Sequence, residues 1–316
     1  MSLCTELKIE YAELEELEKQ FEVAFDEAVK TGKLEKAQQI KTEIENKLAS
    51  LKEKIIPKEI KAIFTNPENN KQKEIKFNLA EQIKTWQQFY QTHNLPIPNE
   101  QEIKNSWRKN QKEIQKAMET YGFDKILIIP ENLPATEELH TQMSQGYTET
   151  YQSENFKKAG SFAGAKHTET QKTRIILCHN DQNMYQNPEA NFFAKQTLSK
   201  NILQLSGLTE AQLNAKIQNQ ENIPLDFETQ INNQKIQIQA EGLSLNEYLI
   251  LQKQYFQENQ KHLDEKGWTW LTKTSSASLV AYAHWHPGHS RLSVFADDLG
   301  VSDDDLGCRL SCSFSS

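Results

Sequence analysis

Apolar positions between residues 5 and 56 recur at helical spacing in two stripes. Leu7, Leu14, Leu17, Phe21 and Ala28 form the first, and Leu34, Ala37, Ile44, Leu48, Leu51 and Ile55 the second. Thr31-Gly32 supplies a turn between them, so the pattern predicts an antiparallel helical hairpin or a coiled coil pairing with another copy. Pro57 and the Asn-Pro-Glu-Asn-Asn stretch at 66–70 punctuate the chain. Residues 77 to 119 again read as helical, with Trp86, Phe89, Tyr90 and Trp107 as anchors, and the span 60–120 as helical hairpins. At Lys125 the pattern changes. The apolar runs ending at Pro130 and spanning Arg174 to Cys178 predict buried strands. A helix is expected from Ala135 to about Phe156, capped by Thr136, and two more in 189–219 around Ser206-Gly207. Alternation over Lys235 to Gln239 predicts a strand, and Leu243 to Gln260 an amphipathic helix opened by a Ser244/Glu247 capping box. Beyond Gly267, short alternating runs such as Leu292-Ser293-Val294-Phe295 predict a β-rich end. The fold class is therefore α+β: a helical domain over 1–120, then a second domain over 121–316.

The bulk numbers narrow the function classes. Apolar residues make up 37% of the chain, and the mean hydropathy is −0.74. The net charge is −8, so a phosphate-neutralising basic face is absent and nucleic acid is not an expected partner. No apolar stretch is long enough to span a membrane, and no secretory h-region opens the chain. Cys4, Cys178, Cys308 and Cys312 are too scattered for a disulfide framework. Reduced thiols and a cytoplasmic location are the default expectation.

Candidate chemistry is sparse. His284, His286 and His289 lie within six residues and resemble a metal-ligand run, yet no second ligand pair accompanies them. The Asp297-Asp298 and Asp303-Asp304-Asp305 runs do not follow the calcium-loop register. Neither Cys308 nor Cys312 sits in a nucleophile motif, and there is no phosphate-binding glycine loop. No catalytic residue, metal or cofactor is assigned on this basis.

The composition of the end of the chain is more informative. Residues 274–316 contain no Lys, Glu, Gln or Asn, although those four types make up more than a third of the sequence. A stretch of that length drawn from the same composition holds about 16 of them. The tail instead carries half of the chain's Asp and Arg, with many Ser, Ala, Leu and His.

The same tail carries a family resemblance. GWTWL (267–271), AHWHPGHSRLSVFADD (283–298) and LGCRLSCSF (306–314) resemble the variable proteins of diversity-generating retroelements. LIIPENLP (127–134), RIILCHN (174–180) and 242–271 are similar to the scaffold of members from small uncultivated bacteria. The resemblance implies a C-type-lectin or formylglycine-generating-enzyme-like fold over about 120–316, with a variable region near 274–314. It further implies a non-enzymatic binding surface rewritten by adenine-specific mutagenesis, in which AAC codons become other codons ending in C. Such codons cannot encode Lys, Glu, Gln, Met or Trp. The tail lacks the first four, and Trp285 would be fixed by the template. Ser276, Leu279, Tyr282, His284, His286, His289, Ser290, Ser293, Phe295, Asp298 and Asp304 are expected on display. Trp268, Trp270, Trp285, Leu306, Gly307, Arg309, Ser311 and Phe314 are expected as framework. The implied partner is an unknown ligand, a protein or cell-surface molecule, with self-association through the N-terminal helices. Two other readings stay open: a formylglycine-generating-type or His-metal enzyme, and a coiled-coil structural adaptor.

Overall fold

In the computed structural model, residues 3–55, 58–168, 172–183 and 192–315 are described, with side chains omitted at 3–7, 49 and 52–55. The chain divides into two units, Met1–Pro57 and Lys58–Ser316. The boundary at 57/58 replaces the expected one near 120. The first unit is the predicted hairpin: α1 (Leu3–Thr31) and α2 (Glu35–Ile55), turned at Gly32, whose φ is +72°. Leu14, Ala24, Ala28, Ala37 and Leu51 are buried in it. Leu7 and Ile55 of the expected stripes fall outside the described side chains.

The second unit opens with strands β1 (Glu59–Thr65) and β2 (Gln72–Asn78), paired antiparallel. This corrects the helical reading of 60–78. Ile60, Ala62 and Phe64 alternate with outward Lys61 and Ile63, and Ile75 and Phe77 with polar residues; all five inward residues are buried. The Asn66 side chain accepts from the Glu68 N–H, and Asn70 takes φ 58°, which makes the intervening stretch a tight turn. Helices α3 (Leu79–Thr92), α4 (Glu100–Lys109) and α5 (Gln111–Tyr121) follow, the first two capped by Asn78 and Asn99.

Strand β3 (Lys125–Ile129) is buried along its whole length. Helix α6 spans only Thr136–Met143. The expected helix to Phe156 is cut by Gly146 at φ +91°. Thr136 is not its cap; Ala135 holds that position, and the Thr136 hydroxyl lies 2.6 Å from His167 Nε2. The short elements β4 (Thr150–Gln152), α7 (Glu154–Lys158), α8 (Ser161–Gly164) and β5 (Ala165–His167) lead to β6 (Arg174–Cys178). Three helices, α9 (Phe192–Lys195), α10 (Ile202–Ser206) and α11 (Glu210–Gln218), occupy the region read as two, whose first residues, 189–191, lie outside the described ones. Strands β7 (Leu225–Ile231) and β8 (Gln234–Ala240) form a hairpin.

Helix α12 (Leu245–Asn259) carries the Ser244/Glu247 capping box. It is buried on every side from Leu245 to Tyr255 rather than amphipathic. Its Glu247 carboxylate pairs with Arg174 at 3.1 Å and Lys273 at 3.6 Å, and Lys273 also pairs with Glu241 at 2.8 Å, so two carboxylates balance the two buried cations. The tail supplies β9 (Trp268–Ser276), β10 (Leu279–His286), β11 (Arg291–Asp297), β12 (Leu306–Cys308) and β13 (Ser311–Ser315).

Two sheets organise these strands. One runs β12-β9-β10-β11-β4, with β5 also pairing β9; the other runs β13-β6-β3. The outer edge of β3 is closed by side chains: Trp86 Nε1 donates to the Ile126 carbonyl at 2.9 Å and the Tyr90 hydroxyl to that of Ile128 at 2.8 Å. Edge groups that would template another strand are thereby occupied.

Candidate functional site

Antiparallel register determines which tail residues share a face. Tyr282 pairs with Phe295 on one side and Trp270 on the other, and His284 pairs with Ser293. Since side chains alternate, Ala281, Ala283, Trp285, Leu292, Val294 and Ala296 point to the opposite face, and all six are buried. The first face is aromatic. Trp268 stacks on His284 at 3.4 Å and meets Phe295 edge-on at 4.7 Å; Tyr282 and Phe295 lie 5.3 Å apart. β4 extends the sheet beside β11, bringing Tyr151 to 5.5 Å from Phe295. The Arg291 guanidinium lies 4.6 Å over the Tyr151 ring and pairs with Glu149 at 2.5 Å.

The ends of this face differ in charge. Asp297 lies at the end where it pairs with Val280, and Asp303, Asp304 and Asp305 lie in the loop before β12, where the Trp268 N–H donates to the Asp305 carbonyl at 2.7 Å; neither these carboxylates nor that of Asp298 makes an ion pair among the described residues. The Tyr282 hydroxyl donates to Asp297 at 2.6 Å, and Asn155 donates to its other oxygen at 2.8 Å. Burial, then Asp297, pushes the Tyr282 hydroxyl up from its ordinary value. Burial, followed by Asp303, also raises Asp305. At the other end stand Arg291, His286 and His289. His284 is pushed down to about 3, first by burial and then by His286 and Arg291, so it is neutral at physiological pH. Among the described residues no group of three His, Cys, Asp or Glu converges to hold a metal.

The expected display positions are thus unequally placed. His289, Ser290, Asp298 and Asp304 are exposed, and Leu279, Tyr282, His286 and Phe295 are half-buried. Ser276 and Ser293 are buried, against expectation. Ser276 donates to the Ala159 carbonyl at 3.0 Å where β5 covers its strand. Ser293 lies between the larger His284 and Tyr151 on neighbouring strands. His284 is 9% exposed because it lies against Trp268. Trp268, expected as a buried brace, is half-exposed and belongs to the aromatic face. Tyr151, Glu149 and Asn155 join the site from over 130 residues away, on a three-residue strand and its flanks that carry no periodic signal.

The remaining framework residues form a connected base. Trp270, Trp285, Leu306, Gly307 and Ser311 are buried. Trp285 stacks on His262 at 3.4 Å, which stacks on Phe256 of α12 at 4.4 Å. Its N–H donates to the Asp264 carbonyl at 3.2 Å. Arg309 is fully buried and donates to Asp264 Oδ1 at 2.8 Å and to the carbonyls of His179 at 2.9 Å and Asp181 at 3.2 Å. Gly242 passes beneath this base; a Cβ there would lie 2.5 Å from Thr272 Oγ1 and 3.0 Å from Cys308 Sγ. Burial pushes the Cys178 and Cys312 thiols up to about 12 and raises Cys308 as well, so all three stay protonated at neutral pH.

Phe314 is not core. It is half-exposed and lines a 610 Å³ cavity between α5, β8 and β13. The cavity exists because a tyrosine splits two strands. Glu241 and Ser311 exchange backbone hydrogen bonds at 2.9 and 2.7 Å, but at Gln239 the Tyr121 hydroxyl takes both backbone groups instead.

Comparison with known proteins gives no match: no family, no curated protein and no solved structure is significantly similar to this chain.

Proposed function

We propose that the protein is a non-enzymatic binding protein whose ligand contacts the aromatic face of the C-terminal sheet, and that a retroelement diversifies this face on a C-type-lectin-like scaffold. The observation that carries the reading is the coincidence of composition and geometry. The stretch without Lys, Glu, Gln or Asn supplies Tyr282, His284, His286, Phe295 and Asp297 of one face. Every residue type on display there has a codon ending in C. Trp285, which no such codon encodes, lies on the buried face with 4% exposure. Aromatic, His and Ser side chains on a rigid sheet provide contact area at low entropic cost together with adaptable hydrogen bonding. A prebuilt base under them keeps the surface ordered before the ligand arrives. The partner is a protein or cell-surface molecule.

The reading is tested in the surrounding DNA. A near-copy of the tail-coding region, differing at adenines that align with the displayed codons, should lie close to a reverse transcriptase gene. Absence of both sinks the retroelement reading. The binding face is tested separately: His286→Ser and Tyr151→Ser should weaken capture of a selected ligand at least tenfold while leaving the melting of the Lys58–Ser316 unit in place.

A further inference from the structure

Most of the exposed large hydrophobic side chains among the described residues lie on the hairpin Met1–Pro57. Of the nine large hydrophobic side chains exposed among the described residues, six belong to it: Ile9, Tyr11, Val23, Phe25, Val29 and Leu34. At 100° per residue, Tyr11, Phe25 and Val29 fall within about 40° of one another on α1, forming a stripe beside the seam residues Leu14, Phe21 and Ala28. Three of the five buried seam residues are Ala, and Ile40, Ile44 and Leu48 of α2 are only half-covered. A core of that size holds a unit this small only weakly, and such units ordinarily gain stability by oligomerisation or cross-linking. Charge adds direction. α1 carries nine acidic against three basic residues, whereas α2 carries four against five. Two α1 helices side by side repel; α1 beside α2 does not.

We propose that this hairpin pairs with the same hairpin of a second copy of the chain, with α1 of each beside α2 of the other. The half-covered Ile40, Ile44 and Leu48 then meet the Tyr11, Phe25 and Val29 stripe, and the two acidic helices stand diagonally apart. The pair carries two copies of the aromatic face, so a multivalent target is held with avidity beyond either face alone.

Sedimentation equilibrium of the full chain at micromolar concentration should give twice the 36.5 kDa chain mass. A single-chain mass, or a larger assembly, overturns the pairing. Tyr11→Gln with Val29→Gln cuts the apolar stripe without replacing a seam residue or the Phe25 ring that packs on Phe21, and should raise the dimer dissociation constant at least a hundredfold. Ile63→Gln with Ile97→Gln, exposed apolar positions outside the hairpin, should leave it unchanged; the opposite order of effects refutes the assigned surface. Lys36→Glu with Lys41→Glu should weaken pairing at least tenfold, because it places negative charge opposite the acidic α1 of the partner copy. No weakening would mean that α1 faces α1, against the arrangement proposed.

Discussion

Arg309 offers the sharpest test of the framework. The substitution Arg309→Met removes a guanidinium that is fully buried and holds three partners at 2.8 to 3.2 Å: the Asp264 carboxylate and the carbonyls of His179 and Asp181. The Asp264 side chain is 1% exposed, so its charge stays in a dry site with the Thr269 hydroxyl, 2.9 Å away. Breaking a buried pair by deleting one partner costs about 3–5 kcal/mol, mostly because the surviving charge is left uncompensated. Asp264→Asn removes that charge, keeps an acceptor for Thr269, and suits the φ of 53° at this position. The double variant should therefore be more stable than Arg309→Met alone by roughly 2 kcal/mol. All five Trp lie in the Lys58–Ser316 unit, so their fluorescence during urea unfolding reports that unit and not the hairpin. A loss below about 1 kcal/mol for Arg309→Met, or strict additivity in the double variant, refutes the view that this ion pair anchors the sheet.

Three further outcomes follow from the same geometry. His167 and His179 are both pushed down to about 4, chiefly by burial, and among the described residues neither ring nitrogen of His179 is hydrogen-bonded. The unfolded chain protonates them near pH 6.5, so stability falls as pH drops from about 6.5 towards 4, by ~1.4 kcal/mol per pH unit for each group, and flattens below that; His179→Phe should reduce the slope by one such increment in urea titrations across pH. Trp86→Phe and Tyr90→Phe each leave a β3 edge carbonyl without its donor and should cost about 1–3 kcal/mol each by chemical unfolding, with faster aggregation on warming; unchanged values would show that the edge is closed by other means. Among sequenced variants of this tail, diversity should be highest at His289, Ser290 and Asp298 and lowest at Ser276 and Ser293; equal variation at the buried serines would contradict their placement.

Much of the second unit is legible in the sequence because its signals are local. The capping box and apolar run of α12, the apolar runs that follow Lys125 in β3 and Arg174 in β6, and the alternation in β8 and β11 each state their structure within a few residues. What escapes has a physical reason in each case. The β1-β2 hairpin is masked because its alternate residues are Lys and Glu, which also suit helices. The expected helix beyond α6 ends at one glycine conformation, invisible to an apolar count. α12 reads as amphipathic, yet Glu247 and Lys253 are buried because partners supplied by distant strands and loops meet them. Half of the candidate site is legible in the same way: tail alternation separates Tyr282 and His284 from Ala283 and Trp285. The other half is not. Tyr151 and Asn155 join through tertiary pairing alone, and Ser293 is buried by the size of its neighbours rather than by any property of its own.

That division constrains how such a surface can vary and still fold. A strand gives alternate residues to opposite faces, so one stretch of chain can hold the sheet with Ala281, Ala283, Trp285, Leu292, Val294 and Ala296 while offering its other face to solvent. The stabilisation is concentrated where no displayed side chain is needed: the Phe256–His262–Trp285 stack and the Arg309–Asp264 pair both lie on the buried side. Surface substitutions remote from such features change stability by about 0.5 kcal/mol or less, so the exposed positions are free to change. The positions inside the ring cluster, half-buried Tyr282 and buried His284, are not equally free. Tyr282 and His284 sit among Trp268, Trp270 and Phe295, and a replacement there must fill a comparable flat volume or leave a gap between the rings. The aromatic floor is therefore the slowly changing part of the face, and the His289–Ser290 turn and the Asp298–Asp304 loop are where new specificity is drawn at least cost to the fold.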